Sequence, residues 1–145
     1  MDPQKITWGA ECKVGDIVAS NYLRFRAGQN GLGIAIQLIA TRTPGAPVLD
    51  AAGHFIGFIS EFDILKALQA GKDLHKLKAE DLMVTDRQAI TASTTIGEAV
   101  TLMEQHRFLN LPVERDGVVI GCVTRHDLLR AWVGIGLGLE LEGHP

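Results

Sequence analysis

Cysteine is scarce in this chain of 145 residues: there are two, Cys12 and Cys122, far apart and in no C-x-x-C pair. That excludes a disulfide framework, and no cysteine or histidine spacing fits a zinc site. Both are expected to be unpaired thiols of a reduced compartment. His54, His75, His106, His126 and His144 are as scattered and form no H-E-x-x-H, so no metal site is expected. Positive charge is also short, with 14 basic residues against 17 acidic ones and a formal net charge of -3. Such a chain has no general attraction to nucleic acid or to an anionic membrane surface, and no local basic patch supplies one. Long apolar runs are missing too. Residues 31–40 and 131–139 are the most apolar, well below the roughly 20 residues that span a bilayer. The opening MDPQKITWGAE lacks the basic start and apolar stretch of a secretory leader, so the cytoplasm is the expected location. Aromatic residues make up 6%. Trp8, Tyr22, Phe25 and Trp132 are too dispersed for a nucleic-acid stacking platform and are expected in core or interface packing.

What the chain does have is a repeat. GFISEFDILKAL, residues 57–68, returns as GCVTRHDLLRAW, residues 121–132. Gly57 and Gly121, Ser60 and Thr124, and Asp63 and Asp127 are all 64 residues apart (121 − 57 = 64), as are Gly33 and Gly97. Pro47 and Pro112 are 65 apart, so one residue has moved across the proline. VGDIV, from Val14, aligns with AEDLM, from Ala79. The expected organisation is a first unit over 13–70, a charged linker over 71–78, a second unit over 79–132 and a tail over 133–145. With 46% hydrophobic and 21% charged residues, the two units should share one globular module.

Each unit reads β-α-β-β-α. Short β-prone pieces at 22–26 and 89–91 precede helices over 32–42 and 96–107, where Ile34, Leu38, Ile96, Val100 and Met103 are spaced for one face. Ser93 to Thr95 offer caps for the second helix. Strands follow at 47–49 and 111–113, their prolines expected at the strand start, where no ladder donor is lost. Asp116-Gly117 is a hairpin turn and 51–53 a less distinct one. Strands over 55–60 and 118–124 lead to closing helices over 61–70 and 125–132. Gly28 to Gly33 has neither the spacing of a nucleotide fingerprint nor a P-loop lysine, and reads as a turn before the first helix. In the tail, glycine alternates with aliphatic residues and supports neither helix nor strand.

The repeated G-h-h-[ST]-x-x-D, with h apolar, is where chemistry can sit. A hydroxyl residue leaving a strand, with an acid three positions on, is a capping box: Ser60 with Asp63, and Thr124 with Asp127. The same arrangement can serve a ligand. Helix-start N–H groups favour a phosphate, and a carboxylate one turn in can accept from both ribose hydroxyls.

The order of elements, with VGDIV and AEDLM at the unit starts, APV and LPV at mid-unit and GFISEFDIL and GCVTRHDLL at the ends, resembles the cystathionine-β-synthase (CBS) domain, in tandem over residues 13–132. The resemblance implies an α/β fold in which two CBS units pack as a pseudo-twofold pair, with clefts between them for adenosine-containing ligands. It implies a non-catalytic regulatory or sensor module that requires no cofactor. AMP, ADP, ATP or S-adenosylmethionine would be its regulatory ligand, held by Ser60, Asp63, Thr124, Asp127, Arg125 and His126. A homodimer and a separate effector protein would complete the system; a ligand-free scaffold dimer is the rival reading. The chain departs from the family where a basic pair often precedes the mid-unit proline to meet phosphates: Leu109-Asn110 and Pro44-Gly45 stand there. Arg125 in the second unit faces Glu61 at the matching position of the first. The two sites are therefore expected to be unequal, with anion-facing chemistry in the second.

Overall fold

Asp116 and Gly117 have φ of 55° and 80°, the two positive values of a tight two-residue hairpin. They join β5 (Asn110–Arg115) to β6 (Val118–Thr124). In the first repeat β2 (Gly45–Leu49) and β3 (Phe55–Ser60) are joined by a wider turn, in which Asp50 Oδ1 accepts from the backbone N–H of Ala52 and of His54, each at 2.9 Å. A two-residue strand runs parallel to the first arm of each hairpin: β1 (Phe25–Arg26) on β2 and β4 (Ile90–Thr91) on β5. The result is two three-stranded sheets, β1-β2-β3 and β4-β5-β6. The structure, a computed structural model, describes residues 9–17, 23–86, 88–106 and 108–134. Tyr22 and Arg107, and with them the start of the first expected strand and the end of the 96–107 helix, lie outside these, as do Trp8 and the tail from residue 135.

The mid-unit prolines sit inside their strands rather than at the start. Pro47 is opposite Phe58 and Pro112 opposite Cys122. Phe58 exchanges both of its backbone bonds with Val84, each at 2.9 Å. Pro47 and Phe58 are therefore a non-hydrogen-bonded pair, and the proline nitrogen faces the other flank, past β1, which reaches only Val48 and Leu49. No ladder donor is lost, so the strand continues through the proline.

The helices start on side-chain caps. Asn30 Oδ1 accepts from Leu32 N at 3.0 Å and opens α1 (Gly31–Thr41), so the glycine-rich stretch is a turn and a cap. Thr95 Oγ1 accepts from Glu98 N at 3.2 Å and opens α4 (Ile96–His106). The closing helices are α2 (Glu61–Gln69) and α5 (Arg125–Trp132). On α4 the buried residues are Ile96, Ala99 and Met103, while Val100 is exposed. At 100° per residue Val100 falls on the opposite flank of Ile96 from Ala99, which takes the core position.

Each repeat borrows its neighbour's leading turn. Val14, which opens the 3-10 turn Val14–Asp16, and Cys12 just before it are buried among Ile90, Ile96, Leu111, Val123 and Leu128 of the second repeat. Leu74, Ala79 and Leu82 are buried among Phe25, Ile34, Val48 and Ile59 of the first. Matching bonds fix both: Ile96 N donates to Cys12 O at 2.7 Å, and Gly31 N to Leu77 O at 2.8 Å. The charged 71–78 stretch thus holds a 3-10 turn, Leu74–Lys76, anchored by Leu74, and leads directly into α3 (Ala79–Leu82). A small third cluster, Leu49, Phe55 and Val119, joins the two sheets. The molecule is an α/β pair of like units, interlocked through their entry segments.

Candidate functional site

Ser60 leaves β3 in extended backbone, φ -108° and ψ 165°, and caps α2. Its Oγ accepts from Asp63 N at 3.2 Å and donates to Asp63 Oδ2 at 2.9 Å, while Ser60 N donates to the same oxygen at 2.8 Å. Asp63 Oδ2 is saturated. Among the described residues Oδ1 has only Lys66 Nζ, at 4.0 Å, and a cation 62% exposed leaves that oxygen open to a further donor. The carboxylate is fixed in direction by its own helix cap.

The second motif has the same cap and a different surrounding. Thr124 Oγ1 accepts from Asp127 N at 3.1 Å and Thr124 N donates to Asp127 Oδ2 at 2.9 Å. Oδ1, however, accepts from Arg130 Nη2 at 3.2 Å, and the Asp127 side chain is 0% exposed against 12% for Asp63. Arg130 stands where the first repeat has Lys66. Arg125 and His126 are exposed on the first turn of α5, and Arg125 borders a separate groove between α4 and α5 with Val100, Met103, Leu129 and Trp132. Arg24 Nη1 donates to Val119 O at 3.4 Å across the repeats.

A cleft of about 520 Å³ opens beside Ser60 and Asp63, within the range of small-molecule sites. Its depth is apolar: Phe55 and Pro112 are buried there, and Phe58 is half-buried. Phe62, Leu65, Val84 and Leu109 are exposed around the mouth. Among the described lining residues, Glu61, Asp63 and Asp86 carry negative charge and none is basic. The second repeat contributes Phe108, Leu109, Asn110 and Pro112, so the cleft lies between the units. Of the candidate residues, the structure brings Ser60 and Asp63 to this cleft with Glu61. It does not bring Thr124, Arg125, His126 or Asp127 there. The counterpart of its Val84 to Gln88 wall falls, at the 65-residue offset, on 19–23, most of which lies outside the described residues.

Asn110 and the Phe55, Phe58 and Pro112 surface escaped the sequence reading. Asn110 stood in the sequence only as a missing base. Its signal was available: an amide two residues before a proline, between two leucines, in the buried first half of a strand.

The family model of the CBS domain matches residues 14–70 and again 79–134. The chain belongs to the CBS domain family, in tandem form. Solved structures have the same fold. The CBS domain pair of protein MJ0100, in complex with 5'-methylthioadenosine and S-adenosyl-L-methionine, is 25% identical, with a TM-score of 0.72 over 84% of this chain and 96% of that one. A putative acetoin utilization protein (AcuB) from Vibrio cholerae is 22% identical, with a TM-score of 0.75 over 92% of this chain and 98% of that one. Among curated proteins, arabinose 5-phosphate isomerase KdsD of Pseudomonas aeruginosa is 31% identical over 87 residues, which are 59% of this chain and 27% of the isomerase. The chain spans less than two thirds of the length of most curated relatives it matches. Among the described residues, no helix is long and apolar enough to cross a membrane, and no group of three His, Cys, Asp or Glu side chains could hold a metal.

Proposed function

We propose that this protein is a non-catalytic regulatory module that holds an adenosine-containing ligand in the cleft beside Ser60 and Asp63. The observation that carries the reading is the Asp63 carboxylate: Oδ2 is locked by the cap, and the residue lines a cleft with an apolar interior. A ribose diol can donate to Oδ1 while the purine lies against Phe55, Phe58 and Pro112. The likeness to the MJ0100 domain pair, whose ligands are adenosine compounds, supports the same class. Thr124 and Asp127, with Arg125 and His126 beside them, form the second motif; its buried carboxylate makes it the weaker site for a neutral sugar.

The module acts by changing its association with an effector protein, as a homodimer built on its exposed helix faces. A ligand-free scaffold dimer is the second reading, favoured by those same faces, where Ile39 is 74% and Leu129 64% exposed. Calorimetry and melting curves with AMP, ADP, ATP, S-adenosylmethionine and NADH separate the two. A ligand at a hundredfold excess over Kd adds about 2.7 kcal/mol to stability, and Asp63→Ala should remove that gain. No heat and no melting shift with any of them at millimolar concentration would hand the function to the scaffold.

A further inference from the structure

The start of α2 has little left for an anion. Ser60 N donates to Asp63 Oδ2 at 2.8 Å, Glu61 N to Pro44 O at 2.8 Å and Asp63 N to Ser60 Oγ at 3.2 Å. A helix start holds a phosphate through its free N–H groups, and these three are already bonded within the chain. The positive end of the dipole is answered as well, because Glu61 and Asp63 both stand in the first turn. The mid-unit residues that line the same cleft, Pro44, Gly45, Leu109 and Asn110, carry no charge.

What charge the cleft has is of one sign. Glu61, Asp63 and Asp86 line it and, among the described lining residues, none is basic. Lys66 approaches Asp63 Oδ1 only to 4.0 Å and is 62% exposed; Arg87, outside the described residues, follows Asp86 in sequence. Even with both counted in full, the acids outnumber the bases. Apolar walls at Phe55, Phe58 and Pro112 focus this field into the cleft instead of letting water damp it. Phenylalanine faces add to the attraction for a cation, and Lys66 Nζ already stands 5.7 Å from the centre of the Phe62 ring.

We infer that the cleft selects its ligand by charge: it takes an adenosine compound whose 5' substituent is neutral or cationic, a sulfonium or ammonium above all, and turns away 5'-phosphates. The inference rests on the reading of the cleft as an adenosine site and sorts the compounds that share that nucleoside. It favours S-adenosylmethionine, with its sulfonium, over AMP, ADP and ATP.

The test is isothermal titration of the intact protein with three compounds that differ only in the 5' group: adenosine, 5'-amino-5'-deoxyadenosine and AMP. At low salt and neutral pH, AMP is expected to bind at least about tenfold more weakly than adenosine, and the protonated amine at least as tightly as adenosine. Salt at about 0.5 M should narrow the gap between adenosine and AMP. In the double variant Glu61→Gln with Asp86→Asn, both at exposed positions, the gap should shrink to within about threefold. AMP binding as tightly as adenosine, or more tightly, would overturn the charge selection and leave the adenosine reading standing. A full gap that survives both salt and the double variant would also overturn it, since size rather than charge would then exclude the phosphate. If none of the three binds, both readings fall together.

Discussion

Asn110 and Gly45 occupy matching positions of the two repeats, 65 residues apart, and are bonded to one another, side chain to backbone, at 2.8 Å. The like units meet through unlike residues. Only one of them can be large: a Cβ at Gly45 would come within 2.6 Å of the Phe58 ring and 2.9 Å of Ile59 O. Gly45→Ala should therefore destabilise the protein by about 1–3 kcal/mol, since the neighbours are a packed ring and a strand carbonyl. Urea unfolding measures this. An unchanged midpoint would mean that the sheet relaxes freely around the new methyl group.

The two capping boxes should respond differently to loss of their acids. Asp127→Ala removes a cap and a charged partner of Arg130 from a site where the carboxylate has no exposure, a loss of about 2–3 kcal/mol. Asp63→Ala removes a cap and an exposed lysine contact, worth about 1 kcal/mol. Ligand binding should rank them the other way, with the Asp63 variant stable and impaired. Denaturation and titration of both variants compare the rankings. Equal stability losses would show that burial of Asp127 does not set its role.

The repeat made most of the fold legible. A doubled strand-cap-helix motif can be read by offset alone, and helix α5 runs over the 125–132 segment read for it. Burial and exchange were not legible. Arg130 and Lys66 look interchangeable in sequence, yet one pairs with a fully buried acid and the other, itself exposed, with an acid that keeps some contact with solvent. VGDIV and AEDLM align with each other, but nothing in a linear pattern says that each packs into the opposite core, because that follows from where the connecting segment can reach. The cleft was half legible: Ser60 and Asp63 carry a motif, while Phe55, Phe58 and Asn110 earn their place only through the contact between the sheets.

Self-association is expected through the outer helix faces. Ile36, Ile39, Phe62, Leu65 and Leu68 are exposed on α1 and α2, and Leu129 and Trp132 on α5, apolar side chains that association would remove from water. Light scattering at tens of micromolar should give twice the chain mass. Leu129→Asp, at a residue 64% exposed, should shift the protein toward monomer with little change in its fold. A monomer before substitution would refute the dimer.

Alkaline pH should expose the state of Cys122. The thiol lies in β6 opposite Pro112, and burial pushes its pKa from 9.0 up to about 12. A raised folded-state pKa means that the folded protein keeps its proton where the unfolded chain has released it. The contribution is therefore fully present below about pH 9 and is lost as pH rises from there toward 12. The loss amounts to about 1.4 kcal/mol per pH unit inside that window. Lysines and the tyrosine titrate over the same range, so the readout is a difference: unfolding of the native sequence and of Cys122→Val, compared at pH 7.5, 9.5 and 10.5. Valine has no proton to lose, and the stability of the variant relative to the native sequence should rise from the lowest pH to the highest. A constant difference would place the Cys122 thiol in contact with solvent, with its ordinary acidity.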